Sequence, residues 1–323
     1  MPTQTKRRFR FADHPWTAMI VFWFLSIVLI LGVAVVSNAG VQLTPYLGFV
    51  AMTLVVAPFV MRIPRVRRPN HEVPDIHGGA NDSTQFRRAA LSFWAYCKEY
   101  AYEIRLYRAQ PVVPLLVLGL TCWLILALSQ VTGTLAFRVT QGKPLTAGFL
   151  LDAIDITKDL PPRSTGILTS FPVVCEEIAW RGIFLTLFLA HYRERKAVVM
   201  AALGFSLLHV LNLTTDWPPI WVLGQILWSF VLGLWYGYSV LKSDSIIPAM
   251  LVHWLGNTFM WSTTGYMQQN ASPLTQALFG VLFTLGILPT VLLTLWTRWF
   301  AARWPFPQQP TRVREGAVAP FQR

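Results

Sequence analysis

The chain has 323 residues, of which 54% are hydrophobic and 13% charged, and Lys plus Arg outnumber Asp plus Glu by 27 to 15. An average soluble protein carries about 25% charged residues. A mean hydropathy of +0.46 beside a net charge of +12 excludes a disordered chain and a soluble nucleic-acid binder. Cys97, Cys122 and Cys175 are too few for a disulfide framework and lack the spacing of a zinc knuckle. What remains is an all-α, polytopic membrane helical bundle whose positive charge lies in its loops.

Around 20 apolar residues carry a helix across a bilayer. Such stretches fall at 16–37, 43–61, 112–132, 164–190, 197–213, 219–241, 246–262 and 273–297, which predicts about eight transmembrane helices. The first is too long for the apolar core of a cleaved signal peptide, and Ser37 to Gly40 make a poor cleavage site. The chain therefore reads as a basic cytoplasmic tail over 1–15, one membrane domain over 16–297 and a second cytoplasmic tail over 298–323.

Orientation follows from the basic residues. With the N-terminus inside, the inner segments hold Lys6, Arg7, Arg8 and Arg10, nine more in the 62–110 loop, then Arg193, Arg195, Lys196, Lys242 and five in the tail. The outer loops hold Arg138, Lys143, Lys158 and Arg163. That bias places both termini in the cytoplasm, with the protein in the cell membrane if the source is prokaryotic.

The 62–110 loop divides in two. Pro64 to Ser83 reads as irregular. Beyond it Phe86, Ala90, Phe93, Cys97, Tyr100, Ile104 and Tyr107 recur at helical spacing, with Arg87, Arg88, Lys98, Glu99 and Arg105 off the stripe. This predicts a cytoplasmic amphipathic helix, either lying on the inner leaflet or packed on the bundle's cytoplasmic face.

An ionisable side chain inside hydrocarbon costs roughly 2.5–3.5 kcal/mol on insertion scales, so such residues mark candidate chemistry. Glu176, Glu177 and Arg181 sit in the fourth predicted span, His209 in the fifth and His253 in the seventh, with Asn212 and Asn257 as polar neighbours. Adjacent carboxylates on a helix point about 100° apart, so Glu176 and Glu177 do not serve one site equally. Glu177 and Arg181 are spaced i, i+4 with the acid first, the favourable order for an ion pair. Glu176 is left without a partner on its own helix, and Pro172 can kink the helix near it. A carboxylate and an imidazole can hold and deprotonate water, and a second imidazole and an amide can stabilise the oxyanion that forms when water attacks an amide. Taken singly, His209 or His253 can equally be a helix–helix hydrogen bond, Phe205 a core residue and Glu176 a transporter's proton site. HExxH, GxSxG and Walker motifs are absent from the sequence.

Glu176-Glu177-x-x-x-Arg181, Phe205-x-x-x-His209 and His253-x-x-x-Asn257, in that order and on separate predicted spans, resemble the three motifs of the CPBP family of intramembrane proteases. That family includes the type II CAAX prenyl endopeptidases and also bacteriocin-processing and self-immunity proteins. The resemblance covers about 164–262 and implies an intramembrane endopeptidase acting on a membrane-associated peptide or protein tail. It implies Glu176 acting with His209 on water, and His253 with Asn257 as the oxyanion-stabilising pair. Glu177 and Arg181 complete the first motif, while Phe205 and Asn212 are supporting residues. It also brings a zinc alternative with Glu176, His209 and His253 as ligands. Using both imidazoles as ligands removes the oxyanion donors, so no metal cofactor is the favoured reading. The implied partners are membrane lipid and the peptide or protein substrate, with no nucleic acid. A non-catalytic binding or immunity factor of the same family and a proton-coupled transporter are the competing functions. No paired inverted halves support the transporter.

Overall fold

The computed structural model describes residues 9–38, 46–63, 82–106, 108, 111–154, 172–214 and 216–309. The basic residues Lys6 to Arg8, most of the irregular stretch after Pro64, the outer-loop residues Lys158 and Arg163, the start of the fourth predicted span and the tail beyond 309 lie outside them. The described residues are helical, with no strand among them.

In chain order the helices are α1 (Pro15–Asn38), α2 (Tyr46–Ala51, continued by a π-helical Met52–Val60), α3 (Asp82–Glu103), α4 (Val112–Thr140) and α5 (Ala147–Ile154). Helix α6 begins as Pro172–Glu177, widens into a π-helical stretch over Ile178–Phe184 and returns to α-helix over Leu185–His191. Then come α7 (Glu194–Leu208, ending in a 3-10 turn His209–Thr214), α8 (Pro219–Ser243) and α9 (Ile247–Asn270). The last two are α10 (Pro273–Phe279, with a π-helical Gly280–Thr284) and α11 (Ile287–Arg303).

Among the described residues, five segments are long and apolar enough to cross a membrane: Pro15–Val36, Val112–Thr140, Glu194–Thr214, Pro219–Ser243 and Pro273–Arg303. Leu47–Val60 is a shorter apolar helix. The expected spans at 164–190 and 246–262 correspond to α6 and α9, which carry the ionisable and amide residues of the site and are correspondingly less apolar. Pro172 is the first described residue of α6, so a kink there lies at the edge of the described residues. Within them, the local departure from α geometry is the π-helical stretch after Glu177.

Helix α9 packs along α4, and α8 lies against both α7 and α11. Association in lipid relies on close packing rather than on the hydrophobic effect, so small residues sit where helices touch. A Cβ on Gly48 would stand 2.6 Å from the backbone of α1 at Ile30, and one on Gly224 would stand 2.6 Å from Ala277 Cβ. The centre is aromatic: Trp180 and Phe184 of α6 are fully buried, with Phe22 of α1 edge-on to both rings.

The amphipathic stripe is a helix only as far as Glu103. Ile104 and Arg105 fall in a turn, Arg105 with φ +60°, and the side chains of Phe86 and Ala90 and residue Tyr107 lie outside the description. The helix touches α2 through Tyr96, whose hydroxyl donates to Pro58 O at 2.5 Å, and through Phe93, stacked on Phe59. Phe93 and Trp94 also expose 51% and 69% of their surface, so packing and an apolar outward face coexist.

Beyond the turn, Arg105 and Arg108 are buried against Asp244 in the turn between α8 and α9. Arg108 Nη1 donates to both Asp244 oxygens at 2.6 and 2.7 Å, Arg105 Nε donates at 3.2 Å, and Gln309 N donates to Oδ2 at 2.9 Å. Arg105 also donates to Thr186 Oγ1 on α6 at 2.8 Å. Burial, aided by Arg108, pulls the Arg105 guanidinium down to about 10 against the upward pull of Asp244, which still leaves it charged at neutral pH. One carboxylate thus ties the α3–α4 connection, α6, the α8–α9 turn and the C-terminal segment together.

Candidate active site

Glu176 and Glu177 end the α-helical first part of α6, and Arg181 lies within the π-helical stretch that follows. Arg181 Nη1 donates to Glu177 Oε1 at 2.9 Å, the ion pair expected from their spacing. The same oxygen accepts from His253 Nδ1 at 2.6 Å, a contact across 76 residues of sequence. On the other side of that imidazole, Nε2 is 3.9 Å from Glu176 Oε2.

The two carboxylates therefore serve one side chain after all. Their angular separation on α6 is matched by the divergence of the two ring nitrogens of His253. Their environments differ: Glu177 is fully buried, whereas the Glu176 side chain keeps 21% of its surface exposed. Glu177 holds Arg181 and His253, and Glu176 keeps a face accessible to water.

His209 ends α7 at the entry to its 3-10 turn, with Nδ1 3.3 Å from Ser206 O. A carbonyl oxygen only accepts, so Nδ1 carries the proton and Nε2 of the neutral ring holds a free lone pair. The Phe205 ring stands edge-on to both imidazoles, with centroids 5.2 Å from His209 and 5.6 Å from His253. It also covers the Arg181 guanidinium at 4.3 Å. Phe205 is thus the shared wall of the site as well as a core residue.

Asn257 lies one turn beyond His253 on α9, half-buried, and no hydrogen bond ties its amide to another described residue. Asn212 donates to Gln225 Oε1 at 2.7 Å and so braces the end of α7 against α8. Glu176 meets His253, and the Phe205 ring touches both His253 and His209. No hydrogen bond or ion pair joins Glu176 to His209 among the described residues.

Sequence reasoning missed the Glu177–His253 hydrogen bond and the role of Tyr236, whose ring stacks on His253. The i, i+4 rule shows only what one helix holds together, and nothing in the sequence sets the packing of α6 on α9. Tyr236 belongs to none of the three motifs, so no sequence signal singled it out.

Among the described residues, no three His, Cys, Asp or Glu side chains converge as a metal-ion ligand set. Glu177, the remaining carboxylate of the centre, is already engaged by Arg181 and His253.

No curated protein and no solved structure matches the chain. Residues 163–259, which hold every residue from Glu176 to Asn257, match the family model for the Type II CAAX prenyl endopeptidase Rce1-like group, in agreement with the motif resemblance.

Proposed function

We propose that the protein is an endopeptidase working within the membrane, hydrolysing a peptide bond in a membrane-associated peptide or protein tail. The observation that carries this reading is the His253 imidazole held between a buried carboxylate, Glu177, and a partly exposed one, Glu176. The family match over the same residues supports it.

In this reading Glu176 and His209 hold a water molecule and remove its proton as the oxygen attacks the scissile carbonyl. The lone pair on His209 Nε2 suits that task. The tetrahedral oxyanion then accepts hydrogen bonds from His253 Nε2–H and the Asn257 amide. Glu177 accepts from Nδ1, so His253 donates from Nε2 only as the imidazolium. Arg181, Glu177, an imidazolium His253 and an ionised Glu176 sum to zero charge, which suits a centre enclosed by lipid. Collapse of the intermediate breaks the C–N bond, and the proton taken from water passes to the leaving amine.

Glu176→Ala and His209→Ala are each expected to abolish cleavage while the protein still inserts and keeps its thermal transition in detergent. A quenched fluorogenic farnesylated CAAX peptide is the first probe. Proteomics of membrane peptides from cells carrying wild type against Glu176→Ala identifies the substrate if that peptide is not cleaved. Full activity of Glu176→Ala on the true substrate sinks the reading. A non-catalytic factor would instead tolerate Glu176→Gln and respond only to changes at Glu177 or Arg181. Stoichiometric zinc whose chelation stops turnover would establish the metal-dependent version.

A further inference from the structure

The motif residues come from α6, α7 and α9, but the remaining wall of the centre is α8. Two of its residues, one turn apart, face the site. A Cβ on Gly233 would stand 3.2 Å from Arg181 Nη2, so this position leaves the guanidinium its room. Tyr236 is 1% exposed. Its ring stacks on His253, with centroids 5.2 Å apart and planes 28° from parallel. The same ring lies 4.6 Å from the Arg181 guanidinium carbon.

The contacts on His253 are of two kinds. The hydrogen bond from Nδ1 to Glu177 fixes one point of the ring but leaves it able to swing about that point. Rotation of the ring would carry Nε2 away from Glu176. What opposes rotation is packing on the faces of the imidazole. Phe205 meets it edge-on at 85°, and Tyr236 covers a face. Aromatic contacts of these geometries resist rotation beyond what area burial alone supplies.

We propose that Tyr236 is a positioning residue of the catalytic centre, its ring locking the plane of His253 so that Nε2 stays directed at Glu176 and the reacting atoms. The kinetic part of this inference rests on the endopeptidase reading, while the placement of His253 does not.

Two measurements test it on the full-length protein in detergent. The first is modification of histidines by diethyl pyrocarbonate, followed residue by residue by mass spectrometry. Tyr236→Leu is expected to speed modification of His253 about tenfold while His209 keeps its rate, and Tyr236→Phe, which retains the ring, is expected to stay near wild type. Equal His253 rates in Tyr236→Leu and wild type overturn the proposal whatever the protein's activity. The second is steady-state cleavage of the peptide established with Glu176→Ala as the inactive control. Misplacement of a catalytic group by about 1 Å costs up to about 100-fold. Tyr236→Leu is therefore expected to lower kcat about 10- to 100-fold with KM within about twofold, and Tyr236→Phe to recover most of the rate. A loss confined to KM, or an equal loss in Tyr236→Phe, also overturns it. If Tyr236→Leu fails to accumulate, Tyr236→Met fills a similar space without a ring and carries the same expectations. An active Glu176→Ala control would count against the endopeptidase reading and leave the diethyl pyrocarbonate result to decide the placement of His253.

Discussion

Glu176 and Glu177 are chemically identical neighbours in different surroundings, and burial separates them. Removing the charge of Glu177 leaves Arg181 enclosed without its counter-ion, and breaking a buried pair from one side costs about 3–5 kcal/mol. Glu177→Gln is therefore expected to lower the thermal midpoint in detergent by several degrees as well as to disable the site. Glu176→Gln, at a partly exposed position outside that ion pair, is expected to lose activity with its midpoint within about 1 °C of wild type. Differential scanning fluorimetry of the two variants side by side checks both outcomes. The sequence made half of this visible. The i, i+4 spacing of Glu177 and Arg181 announces their pair, because one helix supplies both ends. The third member, His253, comes from a helix 76 residues away, and no spacing rule spans that distance.

At the scale of elements, the Asp244 cluster does for the bundle's base what Glu177 does for its centre. Asp244 has φ +50° and is 3% exposed, and it is the shared acceptor for Arg105, Arg108 and the backbone of Gln309. Asp244→Ala strands two buried guanidinium groups and is expected to cost about 3–5 kcal/mol. Because it also releases the Gln309 contact, limited proteolysis is expected to cut the C-terminal segment faster in this variant than in wild type. Asp244→Asn keeps the shape and the capacity to accept hydrogen bonds, and tolerates positive φ, but removes the charge. It is expected to fall between wild type and Asp244→Ala, which separates the electrostatic from the hydrogen-bonded contribution. Periodicity predicted the helix that leads into this cluster but overran its end. Ile104 continues the apolar stripe because it is buried in a turn against α6, where a Cβ on Gly182 would meet its side chain at 3.0 Å. A stripe records burial, and a turn can supply burial as well as a helix can. Arg105, off the stripe and so expected at the surface, is enclosed because Asp244 waits for it.

Across the whole molecule, charge and aromatic side chains sort together. Trp217 stacks on Trp221 at the start of α8, while Trp299 and Trp304 pack near the end of α11 with Arg303 beside Trp299. Such pairs suit the two interfaces of a bilayer. The basic residues predict both termini in the cytoplasm, so a fluorescent protein fused after Arg323 is expected to fluoresce, and Lys143→Cys to react with an impermeant maleimide in intact cells. Reversed results would invert the topology. The proposed count of eight spans can be tested by the same labelling. Among the described residues, length and hydropathy together single out five segments. Helices α6 and α9 fall outside those five although their apolar runs are readable at 164–190 and 246–262, because Glu176, Glu177, Arg181, His253 and Asn257 lower their apolar character.

The wide turn after Glu177 gives this arrangement an unusual dependence on helix width. A π-helical stretch holds one residue more than the α-helix that would span the same rise. Loss of a single residue between Ile178 and Phe184 is therefore absorbed by a return to regular α-helix, which keeps both glutamates in phase with Thr186. Tightening the same stretch to α-helix with no residue lost would instead turn the part of α6 bearing both glutamates by about 100° relative to Thr186 and the base of the bundle. The phase between the two glutamates and the Asp244 cluster is thus carried by the width of one turn, and a change there would act on the site without replacing any of its side chains.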